Sequence, residues 1–221
     1  MKDVTLFILF ARRPDPGAVK TRLARKIGDR EAAAIYRAML IDSIETLKAA
    51  GRPFAVAFTP PDAAPYFKEL AAGRKNFPQE GNDLGEKMSR AFLSRFREGY
   101  KRVIVIGSDI VGLTPDILKR ADAALKIHRA VIGTCGDGGY YLIGLNEYLP
   151  ELFTGIKWGS RTVLRDTLRR LRQKTVDFHL LPELIDFDRI EDLQAIIKQL
   201  PSLPGTNLAR RIREWVNERH R

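Results

Sequence analysis

The sequence predicts an α/β protein: a three-layer α/β/α sandwich in which helices cover both faces of a mostly parallel sheet. Strand-like apolar runs alternate with helical patterns through the first two-thirds of the chain, as in βαβ folds. The run from Val103 to Gly107 is uncharged and mostly β-branched, which is typical of a strand buried on both faces. At 221 residues, we expect one domain over residues 1–200, with a basic C-terminal helix over residues 201–221 packed on it.

The N-terminal half contains strands and helices in alternation. Gly51 ends a long helical pattern, and Asp83 with Glu86 three residues later forms a start that resembles a capping box. The predicted strands are Val4 to Phe10, Pro53 to Phe58, Asn76 to Pro78 and Val103 to Gly107. The predicted helices run from about Thr21 or Asp29 to Ala50, from Pro60 to Ala72 and from Asp83 to Arg97.

The C-terminal half continues the alternation with shorter elements. Leu164, Leu168 and Leu171 form the apolar stripe of one helix, and the prolines of residues 201–204 separate the last two helices. The predicted strands are Ala130 to Thr134, Tyr140 to Leu145, Val176 to Leu181 and Leu184 to Phe187. The predicted helices are Pro115 to Ile127, Ser160 to Gln173, Glu191 to Leu200 and Asn207 to Arg219.

The composition narrows the class of partner. A formal net charge of +11 suits a nucleic acid, an anionic membrane or a phosphorylated small molecule. The sequence carries no nucleic-acid-binding signature, so we expect no nucleic acid partner. It shows no signal-peptide pattern and no transmembrane segment, which predicts a cytoplasmic protein. One cysteine and three scattered histidines match no zinc spacing, so any metal is expected to be a hard ion bound by oxygen.

Asp109 is the first candidate functional residue, because it follows the buried strand that ends at Gly107. Ligands of open α/β sheets bind beyond the carboxyl ends of the strands. A carboxylate in this position is therefore suited to hold a divalent cation over a phosphate. The alternative is that Ser108 and Asp109 only turn the chain toward the next helix.

The loop after the first strand has the composition of a phosphate cradle. Gly17 allows backbone amides to approach an anion, while Lys20 and Arg22 supply positive charge. The spacing matches neither a P-loop nor a dinucleotide-binding turn. An exposed basic loop without a ligand is the alternative.

Several ordered motifs together resemble the DUF2064 family over about Val4 to Leu193. This family comprises bacterial and archaeal proteins assigned as glycosyltransferases with the GT-A, nucleotide-diphospho-sugar transferase fold. The sequence is more distantly similar to MobA-type nucleotidyltransferases and phospholactate guanylyltransferases. The motifs are Pro14-x-Pro16-Gly17-x-Val19-Lys20-Thr21-Arg22-Leu23, Gln79-x-Gly81-x-Asp83-Leu84-Gly85-Glu86-Lys87-Met88, Gly107-Ser108-Asp109, Asp137-Gly138-Gly139-Tyr140-Tyr141-Leu142-Ile143-Gly144, Trp158 and Asp186-x-Asp188-x-x-Glu191-Asp192-Leu193.

The resemblance implies a nucleotide substrate and a divalent metal. It implies Mg²⁺ or Mn²⁺ on the diphosphate, held by Asp109 and Asp188. Asp186 points to the same face of an extended segment and is the alternative ligand; both late acids could instead only favour the next helix. The residues assigned to nucleotide binding are Arg12, Gly17, Lys20, Arg22, Gln79, Gly81 and Ser108.

The acceptor side is assigned to the glycine-rich segment and nearby aromatic residues. Asp137 is the candidate catalytic base, and it joins Asp109 and Lys20 as the predicted catalytic residues. Tight turns and core packing are the alternatives for these glycines and aromatics. The residues assigned to the acceptor or sugar are Gly138, Gly139, Tyr140 and Trp158.

The leading functional hypothesis is a metal-dependent transferase that uses a nucleotide-diphospho-sugar to glycosylate an acceptor. The alternative in the same fold is a nucleotidyltransferase that joins a nucleoside monophosphate to a small phosphorylated or carboxylated acceptor. A third hypothesis, a nucleic-acid-binding protein, rests on charge alone.

Overall fold

The computed structural model describes residues 2–199 and 206–219. Within these residues the chain forms eight strands and eight α-helices, with two short 3-10 turns. The strands are β1 Lys2–Arg12, β2 Phe54–Thr59, β3 Lys75–Pro78, β4 Tyr100–Gly107, β5 Ile110–Val111, β6 Ala130–Cys135, β7 Tyr140–Leu145 and β8 Phe178–Asp186. The helices are α1 Thr21–Ile27, α2 Asp29–Ala49, α3 Ala64–Leu70, α4 Leu84–Arg97, α5 Pro115–Leu125, α6 Val163–Gln173, α7 Ile190–Gln199 and α8 Asn207–Arg219.

The eight strands form one mixed sheet in the order β3-β2-β1-β4-β7-β6-β8-β5. β1 pairs in parallel with β2 and β4, β2 with β3, and β6 with β8. β7 runs antiparallel to β4 and β6, and the two-residue β5 runs antiparallel to β8. The carboxyl ends of six strands therefore meet at one edge of the sheet, which is where ligands of such folds bind.

Both faces of the sheet are buried. Phe7 and Leu9 of β1 pack with α2, α3 and α5, whereas the alternate residues Ile8 and Phe10 pack with α4 and α6. All four side chains are at most 9% exposed. These two apolar clusters make three layers, so the predicted α/β/α sandwich with a mostly parallel sheet is confirmed.

The long helical pattern after the first loop is two helices. α1 begins at Thr21 and α2 at Asp29, so both predicted starting points occur. Gly28 separates them with a φ of 94°, a left-handed conformation that glycine adopts at little cost.

The sheet departs from the predicted elements at its edge. Two extended segments were predicted where β8 is one strand, because Pro182 interrupts the apolar pattern. The register of β6 against β8 shifts between Gly133 and Cys135, and a proline without an N–H is tolerated at such an irregularity. β5 was missed, because two residues inside a turn carry no recognisable strand pattern; it pairs with Ile185 and Asp186.

The C-terminal helix α8 packs against α2. Ile35 and Met39 of α2 share an apolar cluster with Leu208 and Ile212 of α8. Asp42 of α2 accepts hydrogen bonds at 2.8–2.9 Å from the first backbone amides of α8. The boundary predicted between residues 200 and 201, the segment 201–204 and the predicted helix end at Leu200 lie outside the described residues.

In the described ranges 2–199 and 206–219, every helix is too short or too polar to cross a lipid bilayer.

Candidate active site

Lys20 lies between two carboxylates that come from distant parts of the chain. Its ammonium is 3.0 Å from Asp109 Oδ2, just after β4, and 4.0 Å from Asp186 Oδ1, at the end of β8. The Lys20 side chain is only 3% exposed, whereas the two acids are partly exposed. Phe187 N also donates a hydrogen bond to Asp109 O at 3.2 Å, which fixes the two acid-bearing segments against each other.

The backbone of Lys20 is constrained to aim its side chain inward. Its φ of 47° is left-handed, an uncommon conformation for a residue with a Cβ, and it immediately precedes α1. The neighbouring Val19 packs on Ala33 and Tyr36 of α2. The loop that the sequence predicts to bind phosphate is therefore anchored on both sides of Lys20.

Asp186 is the most perturbed acid of the site. Burial, followed by the negative charges of Asp109, Asp137 and Asp188, raises the pKa of Asp186 to about 7, although Lys20 opposes the shift. Its Oδ1 is a buried atom that accepts no hydrogen bond from the described part of the chain. A carboxylate in this state is poised to gain a cation or a proton.

Tyr36 links the ends of β1 and β4 and was not identified from the sequence. Its hydroxyl accepts a hydrogen bond from Arg12 N at 3.0 Å and shares one with Ser108 Oγ at 2.7 Å. Burial raises the pKa of Tyr36 to about 12, so the phenol stays neutral. From the sequence alone, Tyr36 belongs to the apolar side of the long helical pattern, where a tyrosine is expected as a packing residue.

A first cavity of about 330 Å³ opens next to Asp109. It brings together five residues that the sequence singled out, and adds the apolar side chains of Leu84 and Met88 from α4. Such a mixture of apolar walls with a few polar groups is typical of small-molecule sites. The five singled-out residues are Arg12, Gln79, Ser108, Asp109 and Tyr140.

Gln79 is held in the wall of the first cavity by its side-chain amide, whereas Gly81 belongs to the turn before α4. The Gln79 amide Nε2 donates hydrogen bonds to Ala57 O at 2.8 Å and Ala11 O at 3.2 Å, so it is held against β1 and β2. Gly81 has a φ of 137°, and a Cβ there would lie 2.7 Å from Glu86 Cβ. Gly81 and Gly17, the latter with a φ of 79°, belong to turns and line neither of the two cavities nearest the acids.

A second cavity of about 580 Å³ lies on the other side of the acids. Its lining includes Asp137, Asp186 and Asp188, together with Arg22 and Arg161. Arg22 Nη1 is 2.8 Å from Asp188 Oδ2, so the predicted second metal ligand is held by an ion pair. Arg22 thus lies on the side of the acids away from the first cavity.

The glycine-rich segment between β6 and β7 is a tight turn against the start of α6. Gly139 N donates a hydrogen bond to Asp137 Oδ1 at 2.9 Å, which orients the exposed Asp137 side chain. Gly138 has a φ of 89°, and a Cβ there would lie 2.2 Å from Arg161 O. Gly138 and Gly139 therefore position Asp137 and are not among the residues that line the two cavities.

Tyr140 and Trp158 contact each other, with ring centroids 6.4 Å apart at an interplanar angle of 90°. Both are half-buried and pack on the cluster formed with α4 and α6. Trp158 lies on Gly85, where a Cβ would be 2.3 Å from Nε1. Tyr140 lines the first cavity, whereas Trp158 is not among its lining residues and packs against Gly85 of α4.

The acids suit a hard cation only if other ligands complete the shell. No three His, Cys, Asp or Glu side chains in the described residues are grouped to hold a metal by themselves. Asp109 and Asp186 nevertheless supply two carboxylates around one ammonium, and Asp186 Oδ1 lacks a hydrogen-bond partner within the described ranges. Mg²⁺ commonly takes one or two carboxylates, with water and substrate phosphates as its remaining ligands.

The fold and its strand-end cleft define a class: transferases with the nucleotide-diphospho-sugar transferase fold. The chain belongs to the DUF2064 family, described as uncharacterised proteins conserved in bacteria, whose model matches residues 40–160. A protein from Desulfovibrio desulfuricans, provisionally assigned as a nucleotide-diphospho-sugar transferase, is 31% identical. Its structure matches with a TM-score of 0.90, over 96% of this chain and 95% of that chain.

More distant structures share the fold at low sequence identity. Rv0371c from Mycobacterium tuberculosis, in a complex with manganese, is 11% identical over 88% of this chain and 98% of its own, with a TM-score of 0.56. The inositol-1-phosphate CTP transferase of T. maritima is 12% identical over 96% of this chain and 97% of its own, with a TM-score of 0.53. No curated protein matches the sequence.

Proposed function

We propose that the protein is a metal-dependent transferase that binds a nucleotide-diphospho-sugar and glycosylates an acceptor. The observation that carries the proposal is the buried Lys20 ammonium between Asp109 and Asp186, at the edge where the strands end. Two acids and a cation from three separate segments meet beside a cavity of about 330 Å³. This arrangement suits a diphosphate, which needs positive charge from the protein and from an ion.

The nucleoside is assigned to the first cavity. Leu84 and Met88 offer apolar contact to a base, and Gln79 and Ser108 line the same space. Arg12 is exposed at the rim and contributes positive charge near the diphosphate. Lys20 is assigned to the phosphates, since its ammonium is 3.0 Å from Asp109 Oδ2 and Asp109 lines the first cavity.

The divalent cation is assigned to Asp109 with a late acid. Asp186 is the nearer partner, because it shares Lys20 with Asp109, whereas Asp188 would first have to leave Arg22. Mg²⁺ is the first choice for a shell completed by phosphates; the manganese complex of Rv0371c supports Mn²⁺ as a substitute. When bound, the ion would neutralise charge on the leaving diphosphate.

The acceptor is assigned to the second cavity, where Asp137 is the candidate base. One Asp137 oxygen is held by Gly139 N, so the carboxylate has a fixed direction. In the proposed step, an acceptor hydroxyl attacks the anomeric carbon of the sugar and gives its proton to Asp137. The bond from that carbon to the diphosphate oxygen breaks, and a nucleoside diphosphate leaves.

Nucleotidyl transfer is the second candidate, favoured by the shared fold with the inositol-1-phosphate CTP transferase. The two reactions differ in what they release. Purified protein is incubated with Mg²⁺ and panels of nucleotide sugars and nucleoside triphosphates, and the products are identified by mass spectrometry. A nucleoside diphosphate indicates glycosyl transfer, and pyrophosphate indicates nucleotidyl transfer. If every donor in both panels stays intact and unbound, the proposed function is wrong.

Asp109→Ala tests the metal assignment by thermal shift. A hundredfold excess of ligand over its Kd stabilises a folded protein by about 2.7 kcal/mol, or roughly 5–10 °C at this size. We expect wild type to gain such an increment with Mn²⁺ plus UDP or GDP, and Asp109→Ala to lose the metal-dependent part. Asp116→Ala, an exposed acid on α5, serves as the control that should keep it. An unchanged increment in Asp109→Ala would exclude Asp109 as a ligand.

Lys20→Ala separates phosphate binding from metal binding. Removal of the ammonium leaves Asp109 and Asp186 without their shared cation, so we expect weaker nucleotide binding even in EDTA. Lys20→Arg, which keeps a cation, should recover part of the affinity. Titration calorimetry with UDP or GDP measures both variants. Equal affinities for Lys20→Ala and wild type in EDTA would show that this loop is structural.

A further inference from the structure

A basic pocket lies beyond the second cavity, between the ends of α1 and the start of α7. Its volume is about 290 Å³, and Arg22 and Arg189 belong both to it and to the second cavity. It shares no lining residue with the first cavity. The lining residues of the basic pocket are Arg22, Arg25, Lys26, Arg189, Ile190 and Glu191.

Within the part of the chain that the structure describes, the positive charges of the basic pocket are only partly balanced by acids. Its lining contains four cations and one acid. Arg22 pairs with Asp188, but the side chains of Arg25, Lys26 and Arg189 form no ion pair within residues 2–199 and 206–219. Like charges that converge on one concave surface repel each other, and a bound anion offsets this cost.

The position of the basic pocket indicates which substrate would supply an anion to it. The first cavity borders Asp109, the second cavity borders Asp186 and Asp188, and the basic pocket continues from the second cavity through Arg22 and Arg189. It is therefore on the acceptor side of the acids. An acceptor whose reactive hydroxyl lies near Asp137 would extend its far end toward this pocket.

We propose that the basic pocket binds a phosphate group of the acceptor, so that the acceptor is a phosphorylated small molecule. This inference rests on the proposed function, because a donor and an acceptor exist only if the protein is a transferase. Arg22 and Arg189 offer guanidinium groups suited to bidentate contact with phosphate oxygens, and Lys26 adds a point charge. The donor's own diphosphate has the same chemistry, and the experiment distinguishes the two sources.

The test compares two double variants that remove the same charges from different places. Lys26→Gln with Arg189→Gln removes two cations of the basic pocket. Lys48→Gln with Arg97→Gln removes an exposed lysine and arginine at the ends of α2 and α4, which lead into the opposite edge of the sheet. Inorganic phosphate is titrated calorimetrically into wild type and each variant of the 221-residue chain, alone and with Mg²⁺ plus a saturating nucleoside diphosphate.

We expect the basic-pocket variant to weaken phosphate binding at least tenfold and the control variant to change it less than twofold. The nucleoside diphosphate should shift the melting temperature of both variants as it does in wild type. Equal phosphate affinities of the two variants would overturn the proposal. Competition between phosphate and nucleoside diphosphate would also overturn it, because the cations would then serve the donor. If phosphate binds in the basic pocket but no nucleotide binds to the protein, the anion site is supported and the proposed function is wrong.

Discussion

Asp186 links the chemistry of the site to the stability of the metal-free protein. Its pKa is raised to about 7 by burial and by Asp109, against 3.8 for an ordinary aspartate. Between these values the folded state holds a proton that the unfolded state has lost. The free energy of unfolding therefore falls as pH rises from 4 to 7. Above pH 7, Asp186 is ionised in both states and causes no further loss of stability.

Asp186→Asn should remove most of this pH dependence. Between pH 5 and pH 8 in EDTA, we expect wild type to lose about 2 kcal/mol more unfolding free energy than the variant, a value below the full shift because Lys20 and the neighbouring acids share the charge. Urea denaturation at four pH values measures the difference. Asp116→Asn, in which the lost acid is exposed, should follow wild type. Parallel profiles for wild type and Asp186→Asn would contradict the assigned charge state.

Only some of the residues that meet at the site could be predicted from the sequence. The position of Asp109 beside the cleft could be predicted, because the fold defines where an acid that follows a buried strand lies. The relation between Asp186 and Asp188 could not, since alternation places both on one face but does not reveal which reaches Lys20. Tyr36 was missed because its hydroxyl matters only through two hydrogen bonds to other elements, at the ends of β1 and β4.

At the scale of elements, the turn between β6 and β7 depends on a close backbone approach. Leu164 N donates a hydrogen bond to Gly138 O at 2.9 Å, which ties the turn to the start of α6. Ser160 was predicted to begin this helix, but α6 begins at Val163 because residues 160–162 form the turn that meets Gly138. Local sequence could not show this contact, which depends on the packing of two separate segments.

Gly138→Ala should therefore destabilise the turn more than its backbone angle alone implies. Its new Cβ would be 2.2 Å from Arg161 O, whereas a Cβ on Gly159 would meet nothing within 4 Å of the described atoms, although Gly159 has a similar φ of 75°. We expect a loss of about 2–4 kcal/mol for Gly138→Ala and about 1 kcal/mol for Gly159→Ala. Urea denaturation measures both. Equal losses would show that the turn can move away from residue 161.

At the scale of the whole molecule, the buried strands of the sheet could be predicted from the sequence, but the packing of the helices at its side could not. The run from Val103 to Gly107 has the composition of a doubly buried strand, and it lies in β4 between β1 and β7. The cluster of α1, α2, α7 and α8 involves segments far apart in sequence, such as Leu23 and Ile212, which no local pattern joins. The basic residues of α8 could be read only as one exposed face, although Arg211 forms an ion pair with Glu31 of α2.

Asp42 makes the C-terminal helix depend on α2, because its carboxylate caps α8 together with the local Thr206, whose Oγ1 accepts a hydrogen bond from Ala209 N at 3.1 Å. Asp42 accepts hydrogen bonds from Asn207 N and Leu208 N, and a negative charge also suits the N-terminus of a helix. We expect Asp42→Ala to cost about 1–2 kcal/mol. Hydrogen exchange should also accelerate in residues 206–219 before it does in the sheet.

Glu45→Ala is the matched control, since in the described residues the exposed Glu45 accepts one hydrogen bond, from the half-buried Asn207 side chain at 3.1 Å. It should change stability by less than about 0.5 kcal/mol. If α8 is a part of the domain, Asp42→Ala should still unfold in one transition, with α8 and the sheet lost together in urea. Two separate transitions in urea, followed by circular dichroism, would instead define α8 as an independent appendage. Nucleotide-induced stabilisation in Asp42→Ala would then show whether the cleft needs this helix at all.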